Sequence, residues 1–423
     1  MRVFISDPVI HGKEVHMQPK PRDSWDENRK RAYIAGTDDN LFVEAGAGAG
    51  KTTRLSRRIL GQLDKGASPD RFIVITYTKE AAGELRTKLV KQLKRQIPSA
   101  ETEEKKRLKA LLAELPQFHI GTITDFAEQI CAQYGGDANP VPRNAPEQAL
   151  SLVKSNPQAL QALRKKCERI FVDEFQDTDR TQKELIWLLA QDGSGRLRDN
   201  ALFVIGDSKQ CIYGNERLQI HDFHAFRRRM LQAGNAHWIR LKDNFRADAE
   251  LVSWINVSFH SRFPHYFDMR SVPPGDERER SFPLSGVFRS SDGDIPALIR
   301  RLMAKADGIS PDHFLIVVLR AEDAAACIDL LTRSGIPATG SQREYDRRSG
   351  AVQVMDPYRA KSLNSEIVLI TDAGREPQAH GKHRIPVEYV AATRAKHVMV
   401  FVPSETPLWF DEAAYCLGDL DPV

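Results

Sequence analysis

Residues 43–55 read VEAGAGAGKTTRL: the end of an apolar strand, glycine alternating with alanine, then a lysine and two threonines that open a helical pattern. Ala45, Gly46, Ala47, Gly48, Ala49 and Gly50 are small enough for successive backbone N–H groups to converge on one anion. The helix that follows turns its positive end toward the same point. The run fits the phosphate-loop pattern AxxxxGKT, with alanine where the stricter form has glycine. Lys51 then reaches the β- and γ-phosphates and Thr52, with Thr53 beside it, holds Mg²⁺.

Outward from this loop, strand and helix signals alternate. LFVEA (41–45), FIVITYT (72–78), ERIFVDEF (168–175) and ALFVIGD (201–207) are continuous apolar runs separated by helical patterns, which predicts an α/β fold with a parallel sheet covered on both faces. Residues 88–118 and 128–167 are charged and helix-like and read as insertions in this first unit. The segment 271–286, rich in proline, glycine and charge, reads as a linker. Beyond it FLIVVL (314–319), VQVM (352–355), EIVLIT (366–371) and HVMVFV (397–402) restart the pattern. The expected division is an N-terminal leader and first lobe over 1–270, the linker, and a second lobe over 287–423.

Hydrolysis requires more than a phosphate cradle. IFVDE supplies two acids at a strand end, Asp173 for the metal and Glu174 to take a proton from the attacking water. Asp207 and Gln210 follow another apolar strand, where a glutamine is suited to sense the γ-phosphate. Arg246 and Arg394 lie far along the chain, and guanidiniums supplied from a second lobe would make hydrolysis depend on lobe closure.

In order and wording these segments resemble the UvrD/Rep-like superfamily 1A DNA helicases, in their RecB/AddA branch. AGAGAGKTT (45–53) is similar to motif I, ITYTKEAAGELRTKL (75–89) to Ia, HIGTITDFAEQI (119–130) to Ib and IFVDEFQDTDRTQ (170–182) to II. LFVIGDSKQCIYGNER (202–217) is similar to III, LKDNFRADAELVSWIN (241–256) to IV, VQVMDPYRAKSLNSEIVLIT (352–371) to V and VEYVAATRAKHVMVFV (387–402) to VI. The resemblance implies two RecA-like phosphate-loop lobes with parallel sheets and a helical insertion in the first. It implies ATP and Mg²⁺ between the lobes and DNA, single-stranded or with a single-stranded region, across them. Lys51 and Thr52 carry over for phosphate and metal, Asp173 and Glu174 for metal and base, Gln210 for the γ-phosphate, and Arg246 and Arg394 as arginine fingers. Phe245 would stack on adenine; the nearest match to the family's adenine-reading glutamine is Asn28. Tyr77, Thr122, Tyr213 and Lys361 fall at positions facing DNA.

The chain departs from that pattern mainly on the DNA side. Asn215 and Glu216 stand where an aromatic and an arginine usually follow motif III. Tyr358, Ser362 and Asn364 replace the histidine, glycine and glutamate of motif V. Taken alone, Tyr77 and Tyr213 suit a core or rim position as well as a base contact. Little chain separates Arg246 from Tyr358, so the helical subdomain that relatives carry in the second lobe is expected to be missing or minimal, and nothing after residue 402 resembles a nuclease. The resemblance therefore implies a compact 3′–5′ translocase or helicase working with a partner nuclease. This reduced architecture is similar to the helicase component of Gabija-type antiphage systems. The competing reading is a nucleic-acid-sensing ATPase that activates its partner without unwinding.

Composition bounds these readings without deciding between them. The 423 residues are 41% hydrophobic and 28% charged, and no run is apolar enough for a membrane span or signal peptide, so a cytoplasmic protein without membrane contact is expected. Five cysteines without a CxxC pair form no metal or disulfide framework. Net charge is only +4, and the basic run over 86–109 suits a solvated helical hairpin as well as a DNA approach. Arg227, Arg228 and Arg229 suit a polar helix face. His119, His221, His224, His380 and His383 lack the array a metal needs.

Overall fold

The computed structural model describes residues 24–135, 144–213, 216–272, 282–290, 293–318, 321–341, 350–371, 384–402 and 418–419. The leader, the centre of the linker, most of the tail, Asn215, His380 and His383 lie outside the described residues.

The first half runs α1 (Glu27–Gly36), β1 (Asn40–Ala45), α2 (Lys51–Asp64), β2 (Phe72–Thr76), α3 (Lys79–Gln96), α4 (Thr102–Glu114), β3 (His119–Thr122) and α5 (Ile123–Tyr134). It continues through α6 (Ala145–Ser155), α7 (Pro157–Lys166), β4 (Arg169–Val172), α8 (Arg180–Ala190), β5 (Leu202–Gly206), α9 (Glu216–Gln232) and β6 (Ala236–Leu241). Its strands form one parallel sheet in the order β3-β2-β4-β5-β1-β6. Every residue of β1, β2 and β5 is buried, as strands covered on both faces must be. Side chains alternate between two cores: Phe42, Ile73, Ile75, Ile170, Val172 and Val204 pack toward α5 to α9, while Leu41, Val43, Phe72, Val74, Phe171 and Phe203 pack toward α2 to α4.

A short parallel pair, β7 (Asp243–Asn244) and β8 (Arg270–Ser271), flanks α10 (Ala249–His260). The second half then adds β9 (Gly286–Arg289), α11 (Ile295–Lys305), β10 (Phe314–Val318), α12 (Ala321–Arg333), β11 (Ala338–Thr339), β12 (Val352–Met355), α13 (Pro357–Ala360), β13 (Ser365–Thr371), α14 (Arg384–Ala392), β14 (Ala395–Val402) and β15 (Gly418–Asp419). Its strands pair in parallel in the order β11-β12-β10-β13-β14-β9-β15. Leu251, Trp254, Ile255 and Phe259 of α10 share an apolar cluster with Leu315, Val317, Val368, Ile370 and Phe401. By packing, α10 thus belongs with the second sheet, and a boundary at residue 270 would cut through that cluster.

Local chemistry sets several helix starts that matter to the site. Thr78 caps α3 by accepting from the Ala81 N–H, and Asp179 with Gln182 forms a reciprocal capping box on α8. No helix among the described residues is long and apolar enough to cross a membrane.

Candidate nucleotide and nucleic-acid site

The phosphate loop leaves β1, which lies between β5 and edge strand β6 in the first sheet, and enters α2 at Lys51. Gly48 and Gly50 take the left-handed conformation at φ 70° and 73°, a region that penalises any Cβ. A Cβ on Gly48 would also stand 2.5 Å from Asn244 Oδ1. That closeness reflects a brace: Asn244 Nδ2 donates to the Ala47 carbonyl at 2.9 Å, and the Phe245 N–H donates to the Gly48 carbonyl at 2.9 Å. The segment carrying Phe245 and Arg246 therefore shapes the loop as well as lying beside it.

The two acids that follow β4 meet the loop directly. Thr52 Oγ1 lies 3.4 Å from Asp173 Oδ2, and Lys51 Nζ lies 3.4 Å from Glu174 Oε1. Burial and the neighbouring Glu174 carboxylate push Asp173 upward, against the pull of Lys51. Glu174 moves the other way: burial raises it, but Lys51 and Lys361 outweigh that and hold it ionised. Glu174 also has φ 47°, rare for a residue with a Cβ, and its N–H bonds Asp173 Oδ1 at 2.9 Å. Strained backbone of this kind persists where surrounding contacts over-determine it. A carboxylate and a hydroxyl at this spacing, the acid under-compensated by its surroundings, fit a hard divalent cation that takes its other oxygens from phosphate and water. Among the described residues no three His, Cys, Asp or Glu side chains form an all-protein metal cage.

Gln210 is joined to these acids through Asp207. Its Nε2 donates to Asp207 Oδ2 at 2.9 Å, while Lys209 Nζ pairs with Asp207 Oδ1 at 2.7 Å. Asp207 is fully buried, which raises it, yet Lys209 and Lys51 bring it below its ordinary value. Gln176 bridges the two strand ends: its Oε1 accepts from the Asp207 N–H at 2.9 Å and its Nε2 donates to Glu174 Oε2 at 2.6 Å. Sequence reasoning missed Gln176, although its place two residues after the expected base was a usable signal.

Both arginines reach this cleft. Arg246 Nη1 donates to the Thr393 carbonyl at 2.9 Å. Burial pushes its pKa down to about 10, with Glu174 acting against that. Arg394 is lowered to about 9, first by burial and then by Arg246, with Glu174 and Asp207 opposing, so both stay cationic at neutral pH. Arg394, which is buried, and Arg246, which is part-buried, thus repel each other while Glu174 favours the charge on both. Arg394 is also heavily bonded at home. It donates to the carbonyls of Val390 (2.8 Å), Leu363 (3.3 Å) and Lys361 and to Thr393 Oγ1 (2.8 Å), so little of its donor set remains for a phosphate in this arrangement.

Phe245 is 41% exposed, with the guanidiniums of Arg31 and Arg54 at 5.3 and 5.7 Å from its ring centre. Asn28 accepts from Arg31, which also pairs with Asp243 at 2.6 Å, so its carbonyl oxygen is engaged before any base arrives. Arg54 is buried with Nε and Nη1 lacking partners among the described residues, and Lys88 Nζ donates to Thr53 Oγ1 at 2.7 Å. Arg31 and Arg54 were not singled out in the sequence, whereas Lys88 belongs to the basic run over 86–109.

The expected DNA residues are less available. Tyr77 and Tyr213 stack on one another at 5.0 Å and 26°, and Tyr358 closes against Tyr213 at 5.7 Å. Thr122 caps α5: its Oγ1 accepts from the Asp125 N–H and donates to Asp125 Oδ2 at 2.8 Å. Lys361 departs most from expectation. Its ammonium donates to both oxygens of Asp177 at 2.6 Å and to the Gln210 carbonyl at 2.7 Å, which uses all three protons inside the protein. At this position, expected to face DNA, the buried Asp177 carboxylate holds the Lys361 ammonium in the ligand-free chain.

The basic runs are similarly absorbed in part. Arg227 pairs with buried Glu44 at 3.3 Å and stacks on Trp238, while Arg229 pairs with Glu184 at 2.5 Å and stacks on Trp187. Arg86 donates to the carbonyls of Phe118 and Ile120 along edge strand β3, each at 3.2 Å. Lys91, Lys94, Arg95, Lys105 and Lys109 remain exposed.

The UvrD/REP helicase N-terminal domain family matches residues 25–152 and 146–231. The chain is 36% identical over 117 residues to an ATP-dependent helicase/nuclease subunit of Streptococcus sanguinis, a match covering 27% of this chain and 9% of that protein. It is 28% identical over 185 residues to the same-named protein of Streptococcus suis (44% of this chain, 14% of the relative). The corresponding protein of Oenococcus oeni is 40% identical over 106 residues (25% and 9%). These matches span only a small part of each relative's length. With the parallel-sheet architecture and the phosphate loop in place, the chain belongs to the UvrD-like helicases of superfamily 1A.

Proposed function

We propose that this chain hydrolyses ATP between its two lobes and uses the cycle to move 3′ to 5′ on single-stranded DNA, acting with a partner nuclease. The observation that supports the reading is the Lys51–Glu174 pair of the first lobe together with Arg246, bonded to the Thr393 carbonyl of the second, and Arg394, whose charges both bear on Glu174, so that the catalytic set draws on both lobes.

In this mechanism the N–H groups of residues 46–51 cradle the triphosphate and Lys51 leaves Glu174 to reach the β- and γ-oxygens. Phe245 stacks on the base. Thr52 and Asp173 would hold Mg²⁺, which would supply neutralisation of charge on the phosphates. Glu174, whose ionised form Lys361 still favours after Lys51 has moved, accepts the proton of the attacking water. Gln210, fixed through Asp207, contacts the γ-phosphate, and the two guanidiniums balance the charge that develops on it.

The relatives are named as helicase/nuclease subunits, which supports a nuclease partner. A role in bacterial antiphage defence extends the same reading. A second reading, an ATPase that senses nucleic acid without travelling, is favoured by the closed Tyr77–Tyr213 stack. Purified chain should hydrolyse ATP faster with single-stranded DNA, and Lys51→Ala should abolish that rate. Hydrolysis indifferent both to DNA and to Lys51→Ala would sink the proposal. Strand displacement with the partner present separates motor from sensor.

A further inference from the structure

Lys361 sits where the two lobes touch, and its side chain is only 10% exposed. On the first lobe its ammonium is shared between Asp177, itself 1% exposed, and the backbone carbonyl of Gln210. On its own lobe its carbonyl accepts from Arg394 Nη1. A single residue thus grips, by its two ends, the segment carrying the γ-phosphate glutamine and the guanidinium expected to face it. The rings of Tyr213 and Tyr77 lie 4.9 and 5.9 Å from the same ammonium and screen it on the DNA-facing side. Its positive charge also bears on Glu174.

We propose that Lys361 is a positioning residue for hydrolysis: its ion pair with Asp177 pins the lobes in register and so places Gln210 and Arg394 on one γ-phosphate. The proposal rests on the two-lobe hydrolytic reading above. A buried ion pair of this kind is set at one geometry, because Asp177 must leave the cation it is bonded to before the lobes can separate. The pair therefore acts as a two-position element rather than a continuous spring, and the tyrosines packed against it give bound DNA a physical route to shift that element.

The test uses full-length chain carrying Lys361→Met, Asp177→Asn, or both, with Lys51→Ala as a reference. Steady-state ATPase is measured with and without oligodeoxythymidylate, and small-angle X-ray scattering is recorded on the nucleotide-free proteins. Each single change should lower DNA-stimulated kcat by about 30-fold or more while KM for ATP moves less than about threefold. The double variant should be no worse than the poorer single one, since both remove the same interaction. Asp177→Asn keeps the side-chain shape and guards against simple misfolding. Scattering should show a larger radius of gyration for Lys361→Met than for wild type, and no increase for Lys51→Ala. Retention of kcat in Lys361→Met, effects that multiply in the double variant, or an unchanged scattering profile would each overturn the pin. A wild type without Lys51-dependent hydrolysis would instead sink the functional reading, and the scattering comparison would still judge the pin.

Discussion

The nucleotide side and the DNA side of this interlobe surface are built differently. Around the phosphate loop, each polar group is aimed at its neighbour: Asn244 braces Ala47, Gln176 joins Glu174 to Asp207, and Asp207 fixes Gln210. On the DNA side the groups that would greet a strand are occupied with each other: Tyr77 stacks on Tyr213, Thr122 caps a helix, and Lys361 serves Asp177. The first region holds its network around the loop, with Lys51 leaving Glu174 and Arg394 leaving its carbonyls to reach a phosphate. On the proposed function, the second must open the Tyr77–Tyr213 stack to receive a strand, which ties DNA affinity to lobe geometry.

The contrast can be broken from the nucleotide side first. Glu174→Gln keeps size and hydrogen bonding but removes the base, so single-turnover hydrolysis should fall about 10²- to 10⁴-fold while nucleotide still binds. Equal loss of binding would show Glu174 to be a structural counter-ion of Lys51. Gly48→Ala should be next, because the new Cβ meets Asn244 at a positive φ. An increase in the Kd of ATP of about tenfold or more is expected by equilibrium titration, from strain of about 1–3 kcal/mol.

On the DNA side, Tyr77→Ala should weaken single-stranded DNA binding by about 1–3 kcal/mol in fluorescence anisotropy and leave DNA-free ATPase unchanged. Tighter binding would mean that the Tyr77–Tyr213 stack blocks the strand rather than receiving it. One further expected effect lies away from both regions and touches stability alone. His224 is buried beside Arg227, and burial followed by that guanidinium pushes its pKa down to about 3. The unfolded chain takes up a proton near pH 6.5 that the folded chain refuses. Stability is therefore full above that pH and falls as pH drops toward 3, by about 2 kcal/mol between pH 6.5 and 5. His224→Gln should flatten that slope in urea titrations, and an unchanged slope would assign it to other groups.

Much of the first region was legible because its chemistry is local. A phosphate loop needs glycine at left-handed positions and a lysine at the helix start, and Gly48, Gly50 and Lys51 are adjacent in sequence. Buried parallel strands such as Phe72–Thr76 and Phe314–Val318 announce themselves as apolar runs. The short edge strand His119–Thr122 has no such run and did not stand out. The fate of Lys361 was illegible for a different reason. Its partner Asp177 lies in the other half of the chain, and only the packed lobes reveal that the carboxylate is buried and in need of a cation. The placing of α10 with the second sheet likewise depends on tertiary contacts with Leu315 and Phe401 that no local pattern encodes.

The account rests on the second lobe supplying charge to chemistry begun in the first, and Arg246 tests that most directly. Single-turnover hydrolysis of bound ATP by Arg246→Ala should be slower than wild type by about 10³-fold, with the Kd of ATP altered less than about threefold. A hydrolysis rate within a few-fold of wild type would contradict the account.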